Sequence, residues 1–88
     1  MNYNSKAVLK HYTEYRLNDK LHRIDGPAIE YNDGDKEYYL DHKLHRLDGP
    51  AVDYSDRKEW WIHGEHYSEQ EFNEYIQSKK IPDYFNKL

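Results

Sequence analysis

The sequence contains no cysteine. Disulfide staples, thiol catalysis and cysteine-ligated zinc are therefore excluded, and a reducing compartment fits. Aliphatic residues are scarce: Leu, Ile, Val and Phe together fill 16 of 88 positions, or 18%. A fraction that low raises the question of disorder. No apolar run approaches the ~18 residues a spanning helix needs. The opening Met1-Asn2-Tyr3-Asn4-Ser5-Lys6 has no apolar signal core behind it. Both observations predict a cytoplasmic protein without a membrane partner. A strong charge of one sign is missing as well. Lys and Arg number 13 against 17 Asp and Glu, a net of -4. That speaks against a duplex nucleic-acid binder and falls far short of a DNA mimic. What is abundant is aromatic. The 10 Tyr and 2 Trp supply core volume that the aliphatics do not. At 10.8 kDa the chain predicts one small domain, residues 1–88, with modest burial and a tendency to self-associate.

The chain repeats itself. Residues 14–36 read EYRLNDKLHRIDGPAIEYNDGDK, residues 37–58 read EYYLDHKLHRLDGPAVDYSDRK, and residues 59–67, EWWIHGEHY, begin a partial third copy. The period is 23 residues and then 22, the difference falling at Gly34 inside a turn. Each copy alternates with period two. Tyr15 and Leu17 share one face, as do Tyr38 with Leu40 and Trp60 with Ile62. Such alternation predicts half-buried strands. Asn18-Asp19, Asp41-His42 and His63-Gly64 then stand where type I′ hairpin turns belong, although only the last pair has the glycine. Return strands are predicted at 20–23, 43–46 and 65–67. Asp25-Gly26-Pro27 and Asp48-Gly49-Pro50 force a further turn. Short strands at 28–31 and 51–54 follow. The fold class predicted is mainly β with a short α element: an antiparallel meander of about eight strands, built from tandem β-hairpin repeats.

The end of the array predicts a helical cap. Ser68-Glu69-Gln70-Glu71 matches the capping box, and Phe72, Tyr75 and Ile76 recur at helical spacing. The cap is placed at about 69–78, ended by Lys79-Lys80 and Pro82, with Tyr84, Phe85 and Leu88 packing back as an apolar tail. Residues 1–12 read equally as a strand or a turn of helix.

At LHRIDGPAIEYNDG and LHRLDGPAVDYSD the sequence resembles a family of small proteins, from tailed bacteriophages and some bacteria, that carry tandem HR-x-DGPA repeats. Its final EWWIHGEHYSEQEF resembles the family's last aromatic strand and Ser-capped acidic helix. The period is also similar to that of the second type of MORN repeat. The resemblance covers residues 14–72. It departs from the family's Asn-Gly-Lys turn at Asn18-Asp19 and Asp41-His42. It implies an architecture of stacked hairpins. It further implies a phage-type accessory protein acting in the host cytoplasm, where a compact acidic protein would bind and inhibit a host protein. A defence nuclease, another defence effector or a toxin is the leading target class.

The candidate chemistry is weighed residue by residue. His22, Arg23 and Asp25, and again His45, Arg46 and Asp48, place a base, a cation and a carboxylate within four residues. Catalysis needs such a set once, whereas a fold needs it in every copy. With Gly26, Pro27, Gly49 and Pro50 these residues are therefore read as the structural repeat motif, and no catalytic residue is predicted. His42/His45 and His63/His66 are spaced to face each other across hairpins, with Asp41 or Glu65 as further ligands, but the spacing matches no zinc motif. No metal or cofactor is predicted. Arg16, Tyr39 and Trp61 occupy equivalent positions opposite the Tyr15, Tyr38 and Trp60 face. An exposed row of these three predicts a partner-binding surface, because Arg, Tyr and Trp dominate protein hot spots. The same row would suit single-stranded RNA as a stacking platform. Charge favours protein: residues 13–67 hold 8 Lys and Arg against 13 Asp and Glu. A self-assembling repeat module, for instance a homodimer, is the remaining alternative.

Overall fold

The computed structural model describes residues 2–85, with side chains through residue 79. The strands are β1 Ser5–Val8, β2 Tyr12–Leu17, β3 Lys20–Leu21, β4 Ile29–Tyr31, β5 Lys36–Glu37, β6 Tyr39–Leu40, β7 Lys43–Leu44, β8 Val52–Asp53, β9 Lys58–Ile62 and β10 Glu65–Tyr67, followed by the helix α1 Glu69–Phe85. The sheet runs β1-β2-β4-β5-β8-β9-β10, with β3 also beside β2 and β6 paired to β7. Every pairing is antiparallel. The expected meander of hairpins with a C-terminal helix is the fold. Residues 5–8 resolve the open reading of the N-terminus in favour of a strand.

The return strand of each full copy is cut in two. β3 and β4 both lie along β2, with Leu21 opposite Arg16 and Ile29 opposite Glu14. Between them the chain leaves the sheet. Tyr15 closes the gap alone: its carbonyl accepts from the His22 N–H at 3.1 Å and its own N–H donates to the Ala28 carbonyl at 2.8 Å. The excursion Arg23–Pro27 is thus inserted opposite one residue. Tyr38 does the same for Arg46–Pro50, bonding His45 at 3.0 Å and Ala51 at 2.8 Å. The predicted return strands therefore stop at Leu21 and Leu44, short of the arginines. In the third copy Trp60 pairs with Tyr67 in unbroken register, and the chain passes into α1 instead of a loop.

Both central residues of all three tight turns have positive φ: Asn18 and Asp19 (52° and 70°), Asp41 and His42 (49° and 68°), His63 and Gly64 (47° and 80°). This is the backbone a type I′ turn demands, and it holds even where glycine is absent. Asn and Asp tolerate that region, while His42 takes it at some cost. The odd residue of the first period lies in the β4–β5 turn, where Gly34 has φ 99°.

Register sorts the faces. Glu14, Ile29, Glu37, Val52 and Glu59 form one row across five strands. On this face Leu21 and Ile29 are buried with Tyr12, Tyr31 and Tyr39 packed against them, and Ala28 is buried in the same cluster. Tyrosine rings therefore fill the space that aliphatics would fill in a richer sequence. The opposite face carries Tyr15 and Tyr38. At the third copy α1 packs against β9 and β10, the Tyr67 and Tyr75 rings meeting at 5.9 Å. The predicted capping box forms in full: Glu71 N–H donates to the Ser68 hydroxyl at 3.1 Å, and Ser68 N–H donates to Glu71 at 2.8 Å. Helical backbone runs on to Phe85, past the predicted stop near residue 78. Lys79 and Lys80 are good helix formers, and helical backbone continues through Pro82 despite the hydrogen bond that a proline withdraws from the ladder. The expected packing of Tyr84, Phe85 and Leu88 lies outside the described side chains. No helix among the described residues is long and apolar enough to cross a membrane.

Candidate interaction surface

The two inserted loops have the same internal wiring. Arg23 Nε donates to Asp25 at 2.9 Å, its Nη1 to the Pro27 carbonyl at 3.3 Å, and its guanidinium lies 4.0 Å over the Tyr15 ring. Arg46 repeats this with Asp48 at 2.8 Å, Pro50 at 3.0 Å and Tyr38 at 4.0 Å. The arginine lies close against each glycine: a Cβ at Gly26 or Gly49 would stand 3.0 or 2.9 Å from the guanidinium carbon, so a larger residue would displace that side chain. Ala28 and Ala51, which end the motif, are fully buried.

The histidines tie one copy to the next. His22 Nδ1 accepts from the Asp41 N–H at 3.0 Å, and His45 Nδ1 accepts from the His63 N–H at 2.9 Å. Both donors sit in the positive-φ turn of the following copy, so Nδ1 must be unprotonated in each. The HR-x-DGPA residues thus spend their polar groups on each other and on the backbone, as a fold-defining motif requires. Burial pushes the His45 imidazole below its usual 6.5, and the His63 ring 4.1 Å away adds to the effect. A base held neutral in the folded state stabilises it fully above the unfolded pKa. That contribution is lost as pH falls through the lower folded value. We expect the urea midpoint to decline as pH drops below about 6.5, and the decline to shrink in His45→Gln.

Arg16, Tyr39 and Trp61 do form a row, but each is committed to the glutamate two residues before it. Arg16 Nε donates to Glu14 at 2.5 Å, the Tyr39 hydroxyl to Glu37 at 2.9 Å, and the Trp61 indole to Glu59 at 3.0 Å. All three side chains are half-buried. Tyr39 packs on the core, and the Trp61 ring lies 4.8 Å from that of His66. The row is therefore not the open aromatic platform expected. Residues i and i+2 share a strand face, so a same-face carboxylate takes each donor.

The central glutamate gathers more. Glu37 is buried and also accepts from the Tyr31 hydroxyl at 3.1 Å and from the Tyr54 hydroxyl. Burial pushes the Tyr39 and Tyr54 phenols well above their usual range, and the Glu37 carboxylate pushes them further. Tyr31 is raised by the same two causes.

The histidine pairs form differently from the expectation. β6–β7 closes with Leu40 opposite Lys43, so His42 and His45 do not face each other. In β9–β10 it is Ile62 and Glu65 that are opposed, not His63 and His66. The rings that meet are His45 and His63, from different copies. Among the described residues no three His, Asp or Glu gather as a metal site.

Beside their aspartates the loops leave two apolar side chains exposed. Ile24 and Leu47, the variable residues of the two motifs, are 70% and 48% exposed. Both line one groove between the loops, together with Tyr38, Leu40, Arg23 and Arg46. Period-two reading misses them because they lie just past the predicted return strands at 20–23 and 43–46. The available signal was an apolar residue at the same motif position twice, set between an arginine and an aspartate. Compared with protein-family models, with curated proteins and with solved structures, the chain matches none of them.

Proposed function

We propose that this chain is a non-enzymatic protein-binding module that inhibits its partner, and that the twin loops make the contact. The observation that carries the reading is the pair Ile24 and Leu47: two large apolar side chains, exposed at equivalent positions and lining one groove. Apolar side chains clustered in a groove mark an interaction site better than the same residues scattered singly. Arg16, Tyr39 and Trp61, half-buried and bonded to Glu14, Glu37 and Glu59, are not the contact surface in this reading. The resemblance to phage repeat proteins supports a host protein as the partner, with defence nucleases, defence effectors and toxins leading.

The test is affinity capture from nuclease-treated bacterial lysate, with wild type beside Ile24→Ser/Leu47→Ser. One stoichiometric protein held by wild type, lost by the variant, and inhibited on addition of the purified chain is the expected result. Both side chains are exposed, so the circular dichroism spectrum stays unchanged. Equal capture by both proteins would overturn the assignment of the loops. Recovery of RNA in an untreated lysate, or self-association alone in sedimentation, would move the reading to the other two classes.

A further inference from the structure

In each loop the cation lies beneath and the anions outside. The Arg23 and Arg46 side chains are only 18% and 20% exposed, whereas those of Asp25 and Asp48 are 62% and 88% exposed. Each guanidinium already has two carboxylates near it. Arg23 has Asp25 at 2.9 Å and Glu30 at 3.6 Å; Arg46 has Asp48 at 2.8 Å and Asp53 at 3.7 Å. Lys58 also pairs with Asp53, at 2.7 Å. At the loop tips, however, the charged groups turned to solvent are Asp25 and Asp48. Arg23 holds the Asp25 carboxyl below the usual carboxylate range, so that charge persists into mild acid. Each tip therefore presents an apolar side chain next to an outward anion, twice, at the spacing of one repeat.

We propose that the two loops dock a basic segment of a partner protein, with an apolar side chain seated between Ile24 and Leu47 and cations beside Asp25 and Asp48. This rests on the reading of the loops as a protein-binding surface and specifies what they bind. Charge complementarity selects the occupant. A second copy docked through the same face would oppose Asp25 and Asp48 with their own equivalents. A nucleic acid would oppose them with phosphates. A segment with Lys or Arg on either side of Leu, Ile, Phe or Trp meets both the groove and its anions.

The experiment is selection of a displayed library of random linear peptides on the immobilised full chain, with counter-selection on Ile24→Ser/Leu47→Ser. Recovered peptides are expected to be rich in Lys and Arg around one apolar residue. As synthetic peptides they should bind wild type about tenfold more tightly than the counter-selected variant. Charge at the same exposed positions then gives a second readout. Ile24→Lys/Leu47→Lys should weaken binding several-fold beyond Ile24→Glu/Leu47→Glu, and the difference should shrink as salt rises. Loop-dependent peptides that are neutral or acidic would overturn the basic segment and leave the protein-binding surface standing. Peptides indifferent to Ile24 and Leu47, or no peptides at all, would overturn both.

Discussion

Glu37→Ala is expected to lower the unfolding free energy by about 3 kcal/mol, because it strands several hydroxyl donors at once. A chain of 88 residues has roughly 4–13 kcal/mol in total, so this one change removes a large share. Tyr31, Tyr39 and Tyr54 all donate to this carboxylate, and they come from three different strand regions of two copies. Removing it leaves three half-buried hydroxyls without an acceptor and a void beside Ile29 and Val52, its neighbours across the sheet. Glu37→Gln keeps one acceptor oxygen and nearly the same volume, and should lose about 1 kcal/mol. The equivalent Glu14→Ala breaks a pair with Arg16 whose side chain is a third exposed, so at most about 1 kcal/mol is expected there. Urea denaturation of the three variants orders them; equal losses in Glu37→Ala and Glu14→Ala would refute the central role of Glu37.

The same cluster has a spectroscopic signature in alkali. The folded-state phenols of Tyr39 and Tyr54 titrate above the unfolded value of about 10. A group with a raised folded pKa contributes its full stability below the unfolded pKa and loses it as pH rises through the folded one. Ultraviolet titration should therefore show late-ionising tyrosines whose deprotonation coincides with unfolding. In Glu37→Ala those tyrosines should titrate earlier, since the carboxylate no longer opposes a second negative charge.

Arg46→Ala should cost about 2 kcal/mol, the sum of a cation over the Tyr38 ring and a hydrogen bond to the Pro50 carbonyl. The bond to Asp48 adds little, because that carboxylate is mostly in solvent. Arg46→Lys should recover less than half of the loss. An ammonium carries the charge, but it has no planar fork to reach Asp48 and Pro50 together while lying flat on a ring. The near-ultraviolet circular dichroism of Tyr38 and its neighbours should weaken in parallel. Full recovery by lysine would show that charge alone holds the loop.

Much of this was legible in the residues. The repeat of EYRLNDKLHRIDGPA as EYYLDHKLHRLDGPA located the hairpins, and the position of Gly34 placed the length change in a turn. Ser68 and Glu71 announced the helix start, since a capping box acts within four residues. Local rules suffice where the partner groups are local. They failed at the helix end, where Lys79, Lys80 and Pro82 read as a stop but helical backbone continues. They also failed for the histidine pairs, because facing residues depend on which pair closes the hairpin, and that is a matter of register.

The candidate site was less legible. Arg16, Tyr39 and Trp61 were found as an equivalent row, yet period two cannot say that Glu14, Glu37 and Glu59 already occupy their donors. Ile24 and Leu47 carry no periodic signal at all, because they lie on an excursion out of the sheet.

The sequence by itself determined the repeat, its antiparallel hairpins, the positive-φ turns and the helical cap. Each of these depends on residue type and spacing within one copy of about two dozen residues. Only the tertiary structure decided that one tyrosine backbone bridges each inserted loop, and that histidines lock each copy to the turn of the next. It also decided that three tyrosines converge on Glu37 and that the two motif variables emerge together at the surface. The histidine locks and the shared groove join residues about one repeat apart, and all of these relations depend on how strands pair and stack, which residue type and local spacing do not state.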